Sequence, residues 1–514
     1  MNKLKKYISL LPLTKDSIVL VLLIILIAIG LSYLPWIVFG VVVASFLIIL
    51  ARGLLQFHYG FYKVKRLFLK KPSKEKYISV HVPACNEPPE LLKNTILKLS
   101  CQNYSNYEVI VIDNNTKNPD TWEPVALYCK ILGKKFRFYH VENLEGFKAG
   151  ALNYIKDKIN PKTECIAVVD ADYEVTKNFL KEANKYFSDE KIGFVQFPQA
   201  YRNVTQENVG LELEYRHFFL TYMNMANNFN CVTATGTLSV FRVEALRKVG
   251  FFNDESITED CDIGVRLNKV EYKGLYVPKI VGKGLMPYNL DSYKKQKSRW
   301  AIGNLQVLKN NLLYILFDSN MTIKQKIGLF SQLTAWVNFT FFPMLIIIIA
   351  SVLKTINYQY YPMMRLIVSL SAVSLFAFLM LKFLSFYITL KNYSSISSII
   401  KAFCIHIGLS GIYSFAPIRI FLKTSFVFER TNKFLRINNV TGIIKNAFIE
   451  ISIGLGSILL ALYHFFESNY TYAGVLILLG TIYGLILYVN KELLITKQAS
   501  EYLFKVRKTS KISL

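Results

Sequence analysis

Apolar residues are distributed unevenly along this chain, and their distribution limits its fold more than any other feature. They crowd into residues 17–51 and return after residue 328, leaving a polar middle the size of a globular domain. The runs 17–34 and 36–51 are each near the length that crosses a hydrocarbon core of roughly 30 Å. Pro35 and Trp36 mark the turn of this hairpin, where an aromatic suits the membrane interface. The first run is too long for a cleavable leader and has no small-residue cleavage site. Later runs at 330–353, 364–390, 441–463 and 471–490 read as four more spans.

The segment 397–422 is ambiguous, because His406, Ser410, Ser414 and Pro417 interrupt its apolar character. If it spans, the basic loop 423–440 faces outward. If it lies in the interface, that loop and the basic tail stay on the cytoplasmic side, which charge placement favours. The resulting organisation is a transmembrane hairpin (1–60), a soluble domain with interfacial helices (61–327), a transmembrane region (328–495) and a basic cytoplasmic tail (496–514).

Lys and Arg total 61 against 35 Asp and Glu, a net charge of +26. The basic residues cluster beside the apolar runs, as in Lys63, Lys65, Arg66, Lys70 and Lys71. That pattern fits positive-inside topology and anionic lipid head groups, not a nucleic-acid partner. The seven cysteines form no CxxC pair. An odd, scattered set argues against both a disulfide framework and a zinc site, and it fits a reducing compartment.

Within the polar middle, β-rich runs (YISVHVPA, YEVIVID, FRFYHVE, ECIAVVDAD, IGFVQFP) alternate with helical stretches. Such alternation predicts an α/β domain with a mostly parallel sheet, whose ligands bind at the carboxyl ends of the strands. Polar residues stand at those ends. IAVVDADY places Asp170 and Asp172 after an apolar strand, as hard oxygen ligands suited to Mg²⁺ or Mn²⁺ and a pyrophosphate. Asn86, Glu87 and Asp113 follow two other strands and could hold a base and ribose, although turn chemistry also favours such residues. In LEGFKAGALN, Lys148 lies between two glycines and suits a phosphate.

ITEDCDIGVRL sets Glu259, Asp260 and Asp262 before an amphipathic helix. One of them could take the proton of an attacking hydroxyl; helix capping is the competing explanation. Gln296, Arg299 and Trp300 share a helix face at i, i+3 and i+4, combining an amide, a phosphate-binding guanidinium and a flat indole.

From about Tyr77 to Leu308 these motifs occur in the order D, DxD, TED and QxxRW: Asp113, Asp170–Asp172, Thr258–Asp260 and Gln296–Trp300. In this the chain resembles family 2 glycosyltransferases of the cellulose synthase and hyaluronan synthase type. The resemblance implies a GT-A-type nucleotide-sugar-binding domain inserted between transmembrane helices. It assigns Asp113, Asp170, Asp172, Lys148, Gln296 and Arg299 to the donor nucleotide, with Asp172 as the metal ligand. Asp260 becomes the general base of an inverting transfer, Trp300 the platform under the acceptor sugar, and Gly236, Thr237 and Glu259 part of the acceptor site.

FERTNK is similar to the cytoplasmic gating loop of cellulose synthases through Phe428, Thr431 and Lys433, with Arg430 in place of Val. Asn114 after Asp113 and Tyr173 after the DxD depart from the family pattern, and no cyclic-nucleotide-binding domain follows the membrane region. The combination of DNN, GFKAG and TED is similar to bacterial β-glucan synthases. It implies a UDP-sugar donor, with glucose first, a growing polysaccharide and a bacterial plasma membrane with the catalytic domain inside. Two other readings stay open: a transferase that places one sugar on a lipid, and a transporter carrying a dead nucleotide-binding domain.

Overall fold

The computed structural model describes residues 15–62, 74–356, 362–421 and 446–510. Phe428, Thr431 and Lys433 lie outside the described residues. Two N-terminal helices, α1 (Lys15–Tyr33) and α2 (Pro35–Tyr59), flank the break at Leu34, where Pro35 occupies the first helical turn. Proline suits that position because its missing N–H is not needed there.

The soluble domain is built on a seven-stranded sheet in the order β3-β2-β1-β4-β7-β6-β8. Its strands are β1 (Tyr77–Ala84), β2 (Tyr107–Asn114), β3 (Phe136–Val141), β4 (Thr163–Val168), β6 (Ile192–Gln196), β7 (Ser239–Arg242) and β8 (Lys273–Tyr276). A separate two-stranded ribbon joins β5 (Glu174–Val175) to β9 (Gly282–Lys283). Strands β1 to β4 are parallel, and β2 is buried along its whole length. This matches the near-continuous apolar run expected of a strand covered on both faces. Helices α3 (Pro89–Ser100), α4 (Pro119–Leu132) and α5 (Phe147–Tyr154) connect them.

Strand β7 is antiparallel to both neighbours, with Val168 opposite Ser239 and Gln196 opposite Ser239. The sheet is therefore mixed, where alternation alone predicts mostly parallel pairing. The reversal has a functional consequence. It brings the start of β7 to the edge where β1, β2, β4 and β6 end, so Thr235–Thr237 meet the DxD turn.

Around the sheet lie α6 (Val209–Phe218), α7 (Glu259–Lys269), α8 (Leu290–Phe317) and α9 (Ile323–Leu333). The remaining helices are α10 (Phe341–Thr355), α11 (Pro362–Leu390), α12 (Ile396–Gly408), α13 (Ser410–Phe421), α14 (Phe448–Phe466) and α15 (Tyr470–Ser510). Helix α2 packs on α11, and α14 packs on α15. Among the described residues, five helical segments are long and apolar enough to cross a membrane: Pro35–Tyr59, Pro362–Leu390, Ile396–Ile420, Phe448–Phe466 and Tyr470–Ser500.

One membrane segment differs from the sequence reading. The run 330–353 is not one helix. It breaks after Leu333 and resumes at Phe341. Polar side chains hold the break: Arg52 donates to the Thr334 carbonyl at 2.7 Å and to the Thr334 hydroxyl, and the Thr340 and Ser414 hydroxyls lie 3.2 Å apart. The described part of the segment 397–422, up to Phe421, forms α12 and α13. It meets the length and composition of a span, yet 67% of its most apolar window is buried inside the protein. Helix α12 lies on α6 and α13 lies on α8, both from the soluble domain.

Gly284 sets a tight contact beneath the DxD. A Cβ there would sit 2.3 Å from the buried Tyr173 ring. We expect Gly284→Ala to cost about 1–3 kcal/mol and to disturb the DxD turn, since Leu285 next to it donates its N–H to Asp172. Thermal unfolding of the detergent-solubilised protein would show a lowered Tm; an unchanged Tm would contradict this packing.

Candidate active site

The chain leaves β4 at Val169, whose N–H still donates to the His81 carbonyl at 3.0 Å. The next residues turn. Asp170 donates its N–H to the Thr237 hydroxyl at 3.0 Å, and Tyr173 donates its N–H back to the Asp170 carbonyl. Asp172 is buried, with one carboxylate oxygen accepting from Leu285 N–H at 2.8 Å. The Asp172 carbonyl accepts from Arg202 at 2.6 Å. These bonds fix both carboxyl groups at the strand end.

Lys148 enters from the first turn of α5, which starts at the left-handed Gly146. Its ammonium donates to Asp170 Oδ1 at 2.6 Å and to the Gly236 carbonyl at 2.7 Å, and it lies 3.9 Å from Glu259. Burial opposes its charge, but Asp170, Glu259 and Asp260 hold its pKa above the ordinary lysine value. Thus one cation ties together the DxD turn, the start of β7 and the start of α7.

Asp260 sits in the first turn of α7 and accepts a hydrogen bond from Cys261 N–H at 2.8 Å. Gly236 stands over it at φ +84°, where a Cβ would lie 2.7 Å from Asp260 Oδ2. Only glycine adopts this conformation readily and leaves that oxygen uncovered. Burial, followed by the like charge of Glu259, pushes Asp260 up to about 7, against the pull of Lys148 and Arg299.

Helix α8 is capped by the Asn289 side chain, which accepts from Ser292 N–H at 2.8 Å. It carries Gln296, Arg299 and Trp300 into a cleft of about 580 Å³ that also takes in Lys148, Asp170, Asp172, Gly236, Glu259 and Asp260. A second cleft of about 520 Å³ adjoins it, walled by Tyr215, Phe218, Phe219 and Trp336. Gln199, Thr235, Thr258, Asp260 and Trp300 line both. Asp260 therefore stands where a polar, charged chamber meets an aromatic one.

Other sequence candidates fall elsewhere. Thr237 is buried, its hydroxyl accepts from the Asp170 N–H, and it lines neither cleft. Asn86, Glu87 and Asp113 share the sheet edge but line neither cleft. Asp113 is buried, accepts from Thr116 at 2.8 Å and lies 2.9 Å from His140 Nδ1. Burial raises its pKa, and these two hydrogen bonds oppose the rise. Trp122 stacks on His140 with ring centroids 4.3 Å apart. Gln199 and Tyr201 were not among the sequence candidates, although both follow β6 and the strand-end rule reaches them.

Among the described residues, no group of three or more His, Cys, Asp or Glu side chains could hold a metal by itself. Asp170 and Asp172 supply two hard carboxylates beside one cleft. That donor set fits Mg²⁺ or Mn²⁺, which take their other ligands from phosphates and water.

Comparison with known proteins agrees with this geometry. The model described as "Glycosyl transferase family 2" matches residues 79–250, and "Glycosyl transferase family group 2" matches residues 165–390. The chain is 29% identical over 223 residues to a probable glucomannan 4-β-mannosyltransferase 3 of Oryza sativa subsp. japonica, covering 41% of this chain and 40% of that protein. It is 24% identical over 324 residues to glucomannan 4-β-mannosyltransferase 1 of Cyamopsis tetragonoloba, covering 58% and 60%. The chain thus spans about half the length of the curated relatives it matches. In fold it is similar to a mannosyltransferase from Pyrobaculum calidifontis solved with GDP-Man and Mn²⁺, with a TM-score of 0.55 and 16% identity, covering 76% of this chain and all of that one. With the DxD, TED and QxxRW residues gathered around one cleft in a GT-A fold, the chain is an integral membrane protein that carries glycosyltransferase family 2 domains.

Proposed function

We propose that this protein is a processive, inverting hexosyltransferase that extends a β-linked polysaccharide at the cytoplasmic face of a membrane. The observation that carries this reading is Asp260 at the junction of the charged and aromatic clefts. A nucleoside diphosphate suits the charged side, with Lys148 and Arg299 near its phosphates. A sugar chain suits the aromatic side, because a pyranose presents flat C–H faces to an indole such as Trp300.

In this reading Asp260 takes the proton of an acceptor hydroxyl. The hydroxyl oxygen attacks the anomeric carbon, the bond to the phosphate oxygen breaks, and the nucleoside diphosphate departs with that electron pair. A single displacement inverts an α-linked donor to a β-linked product. Asp170 and Asp172 would hold a divalent cation, whose chemistry here is to neutralise the leaving diphosphate.

The relatives' names are those of mannosyltransferases, and the similar solved structure was determined with GDP-Man. They favour GDP-mannose over the UDP-glucose expected from the sequence resemblance. Cytoplasmic placement rests on the basic residues beside the apolar runs and on seven free cysteines. The packing of α12 and α13 on α6 and α8 supports an interfacial position for residues 397–422.

Membranes carrying the protein, incubated with labelled GDP-mannose or UDP-glucose and Mg²⁺ or Mn²⁺, test this reading. The expected product is a large, mannanase-sensitive polymer made from GDP-mannose. A glucanase-sensitive polymer made from UDP-glucose alone would overturn the donor, and a small lipid-soluble product would overturn processivity.

The pKa of Asp260 gives a second test. A base works as the carboxylate, so kcat/KM should rise with pH through a limb near 7. Glu259→Gln removes a like charge and lowers that pKa, which moves the limb to lower pH by on the order of one unit. A limb that stays put or moves upward would contradict the assignment.

A further inference from the structure

Beneath the QxxRW face lies a buried ion pair formed by residues that the four motifs leave unspecified. Lys297, inside Gln296–Trp300, has a fully buried side chain, as does Glu214 on α6; their ammonium and carboxylate are 2.5 Å apart. The other Glu214 oxygen lies 3.2 Å from His406 Nδ1 on α12 and accepts from the Tyr413 hydroxyl on α13 at 3.3 Å. Tyr293 of α8 donates to Glu214 at 3.3 Å.

The ammonium is also boxed by rings. Its Nζ lies 3.8 Å from the Tyr215 ring centre, 4.3 Å from Trp336 and 4.9 Å from Trp300. Tyr215 completes the link, since its hydroxyl donates to Gln296 Oε1 at 2.5 Å and its ring meets Trp300 edge-on at 5.7 Å. A desolvated cation against several aromatic faces draws those rings to one position. Two of them, Trp300 and Trp336, are 5.3 Å apart and wall the aromatic cleft.

We infer that Lys297 and Glu214 are positioning residues for the acceptor. The pair fixes the Trp300 and Trp336 indoles and ties the QxxRW helix to α12 and α13, so the acceptor chain is held in register with Asp260. The inference rests on the reading of this cleft as a transferase site. It goes beyond that reading in assigning acceptor geometry to residues that need not touch donor or acceptor. Burial alone would neutralise such groups, but Glu214 is held down to about 2 and Lys297, though lowered to about 8, stays a cation at neutral pH.

The test uses the full chain in membranes and compares wild type, Lys297→Met and the double variant Glu214→Gln/Lys297→Met. Three quantities are read: GDP and UDP affinity, slow donor hydrolysis to free sugar, and the length and rate of product elongation. Lys297→Met should leave nucleotide affinity and hydrolysis within about twofold of wild type, slow elongation by about tenfold or more and shorten the product, because a small displacement of the acceptor is enough to do so. The double variant relieves the orphaned carboxylate and should bind nucleotide as wild type does, yet still elongate poorly.

Wild-type elongation by Lys297→Met would overturn the inference, as would full recovery in the double variant. Loss of nucleotide binding in both variants would overturn it too, because the pair would then support the whole domain. Absence of transfer by the wild-type protein from any donor would instead remove the transferase reading itself.

Discussion

The site depends first on one ammonium among several carboxylates. Asp170 from the DxD turn and Glu259 and Asp260 from the start of α7 face the same cleft, and Lys148 is the cation that contacts two of these segments and the Gly236 carbonyl between them. Two like charges about 4 Å apart repel by about 4 kcal/mol at an effective dielectric of 20, so a cation between these segments favours their convergence. The same arrangement divides the acids by role. Asp170 is bound directly to Lys148, whereas Asp260 keeps a raised pKa because burial and Glu259 outweigh the more distant cation. A carboxylate paired with a lysine and an acid poised near neutrality are what a diphosphate site and a general base respectively need.

A second cation, Lys297, does for the aromatic cleft what Lys148 does for the charged one. Each is reached from a separate helix, and each joins segments far apart in sequence. Buried pairs of this kind add little net stability over apolar packing, but removing one partner costs about 3–5 kcal/mol. Their value lies in fixing one geometry. Here that geometry links α6 and α8 of the soluble domain to α12 and α13, so the catalytic cleft and the membrane region share a wall.

Much of this was legible in the sequence, for physical reasons that differ by element. Strands β1 to β4 announce themselves as apolar runs ending in polar residues, and a parallel sheet gathers those ends at one edge. Asp170 and Asp172 stand at one of those ends, and the TED and QxxRW residues reach the same cleft from the starts of α7 and α8. Strand β7 was missed because four residues, SVFR, carry no readable period, and its antiparallel direction is set by tertiary pairing. The break at 334–340 was hidden inside an apolar run, since the Arg52 that satisfies it comes from α2. Glu214 was not among the sequence candidates. Nothing local marks it, because its partners lie 83 and 192 residues away. The hydrogen bond from Asp170 N–H to the buried Thr237 hydroxyl was equally invisible, because the two residues are 67 positions apart.

The central claim is that donor binding and proton removal reside in different carboxylates of one cleft, with Asp260 as the base. Asp260→Asn keeps the size of the side chain and removes its basicity, so the decisive measurement is nucleoside diphosphate affinity beside sugar transfer in this one variant. The account predicts affinity within about twofold of wild type and a fall in transfer of at least about 10²-fold. Transfer at the wild-type rate, or a loss of nucleotide binding that accounts for the whole loss of transfer, would contradict it.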